Sequence, residues 1–222
     1  MAKNIVKSKF ADHFLALQNY FDPETNNCIE VLNLDFETAN TRKNKMHTRK
    51  KILAISGSTR QNSANLSLIH AISQLFSDKL DITIFNGLDS IPHFNPDLDN
   101  DIPPEAVIAF RKQLKEADGI LICTPEYAMG VPGSLKNAID WTVSSMEFSH
   151  KPVALITAST SGRKAHQSLL ETLMIIEADI PESSQLLISH VKTKVNDDKI
   201  VDSATLEQIN KVMESLVKLF IN

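Results

Sequence analysis

KKILAISGSTRQNSAN, residues 50–65, determines the fold of this chain. An apolar run at residues 51–55 gives way to a polar loop at residues 56–65, and apolar side chains then recur at helical spacing. These are Leu66, Ile69, Ile72, Leu75 and Phe76. A buried strand, a loop and an amphipathic helix in this order form the first unit of a doubly wound α/β sheet.

The same alternation continues to the end of the chain. Further strands are predicted at residues 80–85, 119–123, 153–157 and 185–189, and helices from Pro104 and over residues 134–144, 163–177 and 206–220. The uninterrupted apolar run GILIC at residues 119–123 is typical of a central parallel strand that is covered on both faces. Four prolines between residues 92 and 104 predict an irregular segment there. We therefore expect five parallel strands in the order 2-1-3-4-5, with helices on both faces.

Composition limits the classes of function. The chain has 222 residues, 42% of them hydrophobic, with a net charge of −4 and a pI near 6.0, so it has no basic field for nucleic acid or an anionic membrane. Its mixed N-terminal residues and the lack of a long apolar stretch predict a cytoplasmic protein. The two cysteines, Cys28 and Cys123, are too few for a disulfide framework and have no partners at metal-ligand spacing, so no metal site is expected. Cys123 is interpreted as a small core residue.

The first 49 residues differ from the rest. Six basic residues crowd residues 41–51, just before the first clean strand, and we interpret this segment as a domain edge. It is either a solvated linker or a patch that attracts nucleotides. The apolar spacing at residues 10–21 suggests a short helix, and residues 28–34 a strand. We therefore divide the chain into an N-terminal extension of unknown role, residues 1–49, and a domain at residues 50–222.

The loops that follow strands one and three carry the chemistry, because ligands of an open parallel sheet bind where the strand order reverses. The first loop combines Gly57 for a tight turn, the cation Arg60, several hydroxyls, and Asn65 where the next helix begins. A helix N-terminus with such side chains favours an anion. Without a Walker lysine or a G-x-G-x-x-G pattern, a terminal monophosphate is the expected group. The alternative is an ordinary capped helix behind a polar loop.

The second loop, TPEYAMGVPG at residues 124–133, is stiffened by two prolines directly before a helix. Its backbone can form a flat wall, with N–H and C=O groups facing the edge of a planar aromatic ring. Alternatively, Glu126 is a solvated loop acid and Tyr127 a rim aromatic. A third loop of small and hydroxyl residues, 158–163, follows strand four and would complete the wall around such a ring; alone, it could equally be a helix cap.

Two motifs resemble those of the NADPH-dependent FMN reductase family of flavodoxin-like proteins. The pattern G-S-x-R-x-x-S-x-N occurs at residues 57–65, and P-E-Y-x-x-x-x-P-G-x-L-K-N-A-I-D-W occurs at residues 125–141. The resemblance covers the chain from Lys50 onward and implies a flavodoxin-like fold. One departure is Ala128, where the family often has Asn and this chain would lack one polar contact near the ring.

The resemblance also implies a cofactor, a reaction and a set of site residues. FMN would be bound, with NADPH or NADH as co-substrate, and electrons would pass to a small-molecule acceptor such as a quinone. The implied phosphate ligands are Ser58, Arg60, Ser63 and Asn65. The ring would lie against Pro125, Glu126 and Tyr127, with Ser159 and Gly162 of the third loop at its pyrimidine end. Members of the family usually form dimers, and often tetramers, through the helix that begins near Ser134, so the resemblance implies a homodimer or homotetramer here.

No catalytic side chain is nominated, because a flavin carries hydride transfer itself. His166 is the one histidine expected near the site, and Trp141 is expected to serve packing. Two alternatives stay open. One is a flavodoxin-type electron carrier, although the usual T-x-T-G-x-T loop and acidic face are both missing here. The other is a flavin-binding interaction module whose N-terminal extension recruits a partner.

Overall fold

The computed structural model describes residues 49–221. The helix and strand expected at residues 10–21 and 28–34 lie outside this part, as does most of the basic segment. The first strand begins at Lys50, where the domain was expected to start.

Five strands and five helices alternate along the described chain, and a small hairpin lies between the fifth strand and the last helix. They are β1 (Lys50–Ser56), α1 (Ala64–Leu75), β2 (Leu80–Ile84), α2 (Glu105–Glu116), β3 (Gly119–Thr124), α3 (Gly133–Asp140), β4 (Val153–Ser159), α4 (Arg163–Ile175), β5 (Gln185–Ser189), the hairpin strands β6 (Val195–Asn196) and β7 (Lys199–Ile200), and α5 (Ser203–Lys218).

The main sheet has the predicted order β2-β1-β3-β4-β5, and all its pairs are parallel. Ser56 at the end of β1 pairs with Cys123, and Thr124 at the end of β3 pairs with Thr157. Because parallel strands end at the same edge, the loops after β1, β3 and β4 emerge side by side.

Both faces of the sheet are covered, which explains the continuous apolar character of β3. Ile120 and Ile122 pack into the core formed with α2, α3 and α4, whereas Leu121 and Cys123 pack into the core formed with α1 and α5. Cys123 is fully buried, as expected of a core residue, and burial raises the pKa of its thiol.

Two local features differ from the prediction. Helix α3 ends at Asp140 rather than at residue 144, and the carbonyl of Trp141, which a continuing helix would pair within itself, accepts from Arg111 Nε at 2.8 Å. The hairpin of β6 and β7 was not predicted. The proline-rich segment is irregular, as predicted, apart from one short 3-10 turn, Pro96–Leu98.

Trp141 is a packing residue, as expected. Its ring is fully buried and packs edge-to-face against the ring of Phe94, with 5.1 Å between the ring centroids. Its Nε1–H donates to the carbonyl oxygen of Pro92 at 2.8 Å. Among residues 49–221, no helix combines the length and the apolar character that crossing a membrane requires.

Candidate active site at the strand ends

One cavity of about 1060 Å³ lies at the carboxyl edge of the sheet, between the loops that follow β1, β3 and β4. Eight of the nine residues nominated from the sequence line it: Ser58, Arg60, Ser63, Asn65, Pro125, Glu126, Tyr127 and Ser159. The first and second loops touch directly, since Ser58 Oγ lies 3.2 Å from Tyr127 Oη. The loops therefore meet across one crevice, as the strand order required.

Gly57 allows the first loop to lie against β3. Its N–H donates to the carbonyl of Cys123 at 2.8 Å, and a Cβ at this position would lie only 2.2 Å from Thr124 Oγ1. Glycine is thus required here for close approach rather than for an unusual backbone angle. This contact brings the start of α1 to the edge of the crevice.

The start of α1 provides positive electrostatic potential. Ser63 caps the helix by accepting the N–H of Asn65 at 3.2 Å. Within residues 49–221, the N–H groups of Ala64 and Leu66 in the first turn make no hydrogen bond, so they are available to a ligand. The exposed Arg60 adds a full charge beside them. This arrangement suits an anion such as phosphate.

Asn65 presents an unpaired acceptor. The side chain is buried, with 3% of its surface exposed, and its Nδ2 donates to the carbonyl of Ala158 at 3.0 Å. That bond fixes the orientation of the amide and leaves the buried Oδ1 without a donor among the described residues. A buried acceptor without a partner is costly, so the site favours a ligand that brings a donor, such as a hydroxyl.

The second loop is a tight turn. Tyr127 and Gly130 exchange two backbone hydrogen bonds of 3.0 and 2.9 Å, and the two residues between them have left-handed backbones, with φ of 49° at Ala128 and 62° at Met129. Asn adopts this conformation more readily than Ala does. An Asn at position 128 would therefore serve the backbone of the turn, whereas the family resemblance led us to expect a polar contact near the ring.

Glu126 joins the second loop to the third. Its Oε1 accepts the N–H of Gly162 at 3.2 Å, and its Oε2 accepts those of Lys164 at 2.8 Å and Ala165 at 3.0 Å. These bonds, with that from Ala165 foremost, hold the pKa of Glu126 below its ordinary value. The carboxylate therefore caps α4 from another loop.

Gly162 is the one nominated residue that does not line the cavity. It is the N-cap of α4, has a φ of 91°, and contributes no side-chain cap. His166, one turn further on, is also absent from the lining; its Nδ1 lies 2.9 Å from Thr157 Oγ1, and burial lowers its pKa.

The far end of the cavity was not foreseen. It is lined by the segment that carries the hairpin, including His190, Lys192, Asn196, Asp197 and Asp198. The two aspartates have φ of 47° and 57°, which is the left-handed pair of a two-residue hairpin turn. The letters NDDK between two β-branched residues, Val195 and Ile200, were the available signal.

Comparison with known proteins gives the family. The family model described as NADPH-dependent FMN reductase matches residues 50–193. The chain belongs to the NADPH-dependent FMN reductase family. An NAD(P)H-dependent FMN reductase of Pseudomonas aeruginosa is 32% identical to it over 173 residues, which is 75% of this chain and 92% of that protein.

Two further similarities agree with this family. A quinone reductase of Escherichia coli K12 is 26% identical over 172 residues, covering 74% of this chain and 92% of the relative. Among solved structures, FerB of Paracoccus denitrificans, described as a flavoenzyme NAD(P)H:(acceptor) oxidoreductase, superposes with a TM-score of 0.64 at 25% identity. That match covers 77% of this chain and 96% of FerB. The chain is therefore an oxidoreductase with a flavodoxin-like fold.

Proposed function

We propose that this member of the family binds FMN in the cavity and transfers two electrons from NADPH or NADH to a quinone or a similar small acceptor. The family supports the flavin and the donor, and the quinone reductase relative supports the class of acceptor. The observation that carries the proposal is that one cavity holds both an open helix N-terminus and a buried acceptor that has no partner within residues 49–221.

The residues of the cavity fit the parts of FMN. The open first turn of α1, with Ser58, Ser63 and Arg60, suits a phosphate that needs only donors. Asn65 Oδ1 needs a donor, which a ribityl hydroxyl has and a phosphate dianion lacks. We therefore assign Asn65 to the ribityl chain, which refines the expectation that it binds phosphate.

The flat ring would lie between the backbone of residues 125–127 and the third loop at Ser159. Bound FMN would supply the hydride-accepting ring, so the protein needs no catalytic acid or base. Its own residues bind and orient the ring: the turn at Tyr127 holds one wall, and Glu126 holds the third loop in place. We assign no catalytic residue and no metal.

The experiment that tests this function is NAD(P)H oxidation by the FMN-loaded protein with and without a quinone. The proposal predicts that the oxidised nicotinamide and the reduced quinone form in equal amounts. An electron carrier would bind FMN without oxidising NAD(P)H, and an interaction module would show no turnover.

We also propose a homodimer, or a tetramer built from it, that forms through α3 and the turns that follow it. Large apolar side chains are exposed in those turns, with 54% of Val143 and 59% of Met146 accessible. Val143→Glu should shift the mass in light scattering to that of a smaller species, and an unchanged mass would contradict this interface. A cytoplasmic location agrees with the supply of NAD(P)H that the reaction requires.

The division into an extension at residues 1–49 and an FMN-binding domain at residues 50–222 is a further proposal. Deletion of residues 1–45 should leave FMN binding and turnover unchanged. A loss of either would show that the extension takes part in the site or in assembly.

A further inference from the structure

Two helices begin beside the cavity, and their first turns differ. The first turn of α1 is capped by its own Ser63 and keeps two N–H groups available among the described residues. The first turn of α4 follows Gly162, which provides no side-chain cap, and the Glu126 carboxylate takes two of its N–H groups, those of Lys164 and Ala165. One helix end is thus open to an anion, and the other is already occupied by one.

The charged groups at the two helix ends also differ. A helix N-terminus is equivalent to about half a positive charge, so the full negative charge of Glu126 outweighs the dipole at the start of α4. Arg163 and Lys164 in the same turn carry two positive charges, but both side chains are exposed to solvent, which screens them. At the start of α1, Arg60 adds to the positive helix dipole.

We propose that Glu126 is a positioning residue that fixes the third loop and places a negative charge at the ring end of the cavity, which lowers the reduction potential of the bound flavin. This inference rests on the proposed function. When NAD(P)H gives up a hydride, the nicotinamide gains a positive charge and the accepting ring gains one negative charge. A carboxylate held near the ring opposes that charge and favours onward transfer of both electrons to the acceptor.

The test compares the full-length chain with Glu126→Gln and Glu126→Asp. Glutamine keeps the length of the side chain and one carbonyl oxygen as an acceptor, but it loses the charge. Aspartate keeps the charge but is too short to keep all three bonds. For each apoprotein, the ratio of its affinities for oxidised and reduced FMN gives the shift in the reduction potential of the flavin on binding. This ratio does not depend on how tightly FMN binds overall.

Glu126→Gln should favour reduced over oxidised FMN by about tenfold relative to wild type, which is about 30 mV for a two-electron couple. Glu126→Asp should stay close to the wild-type potential. An unchanged potential in Glu126→Gln, or a shift confined to Glu126→Asp, would overturn the inference.

A second pair of variants does not depend on the folding of Glu126→Gln. Lys164→Gln removes an exposed charge that offsets Glu126 and should move the potential downward, opposite to Glu126→Gln. Lys112→Gln on α2, an exposed lysine paired with Glu116, is the matched control and should change nothing. An unchanged or raised potential in Lys164→Gln would overturn the inference. Failure of the wild-type protein to bind FMN would overturn the proposed function as well.

Discussion

Replacing Arg60 and Asn65 separately by Ala should weaken flavin binding in two distinguishable ways. Riboflavin has the ring and ribityl chain of FMN but lacks its phosphate. If Arg60 contacts the phosphate, Arg60→Ala weakens only FMN binding. If Asn65 Oδ1 accepts from a ribityl hydroxyl, Asn65→Ala weakens the binding of both flavins by the same factor.

The structure sets the expected magnitudes. A charge-assisted hydrogen bond contributes about 1.5–3 kcal/mol, and because Arg60 is exposed we expect the lower end, roughly a tenfold loss of FMN affinity. Asn65 is buried and its oxygen is neutral, so one hydrogen bond of about 1 kcal/mol corresponds to roughly a fivefold loss. The Arg60 effect should shrink as salt is added, whereas the Asn65 effect should not.

The assay is a titration of each apoprotein with FMN and with riboflavin, followed by flavin fluorescence. Circular dichroism checks the fold, because Asn65→Ala also removes the bond to the carbonyl of Ala158. Thr59→Ala is the matched control: it is exposed in the same loop and should bind both flavins as wild type does.

Two outcomes would refute this reasoning. An Arg60→Ala variant with unaltered FMN affinity would show that Arg60 does not bind the phosphate. An Asn65→Ala variant that loses affinity for FMN but not for riboflavin would show that Asn65 binds the phosphate and not the ribityl chain.

Three further predictions concern stability. Gly57→Ala should lower the free energy of unfolding in urea by about 1–3 kcal/mol, because its Cβ would collide with Thr124. Gly133→Ala is the control and should not destabilise, because its Cβ would meet nothing within 4 Å. Equal effects of the two substitutions would contradict the close approach of Gly57 to β3. Ala128→Asn should raise that free energy by about 0.5–1 kcal/mol by easing a left-handed backbone, and a loss of stability would argue against strain in this turn. Because folding lowers the pKa of Glu126, its contribution to the free energy of unfolding is complete above about pH 4.3 and is lost as the pH falls through the folded pKa. In thermal unfolding at decreasing pH, wild type should therefore lose its stability advantage over Glu126→Gln. A stability difference that does not change with pH would contradict this.

The sequence predicted the sheet and the location of the cavity because both follow from strong local patterns. The run at residues 119–123 is apolar throughout because both faces of β3 are covered. The loops at Gly57 and Pro125 contain glycine, proline and hydroxyl residues where a helix should begin, and the strand order then brings them together.

The remaining features depend on contacts between distant residues. Just after the early end of α3, the carbonyl of Trp141 is bonded by Arg111, thirty positions away. The orientation of the Asn65 amide is set by Ala158, and the partners of Glu126 lie at the start of α4. None of these pairings has a periodicity or a local motif, so the sequence indicated the residues and left their bonds open.

The most direct test of the central claim is the visible absorption spectrum of the purified protein after incubation with FMN and desalting. We predict a flavin spectrum that corresponds to an equimolar amount of FMN retained by the protein. A spectrum without flavin absorbance would contradict the assignment of this cavity to FMN.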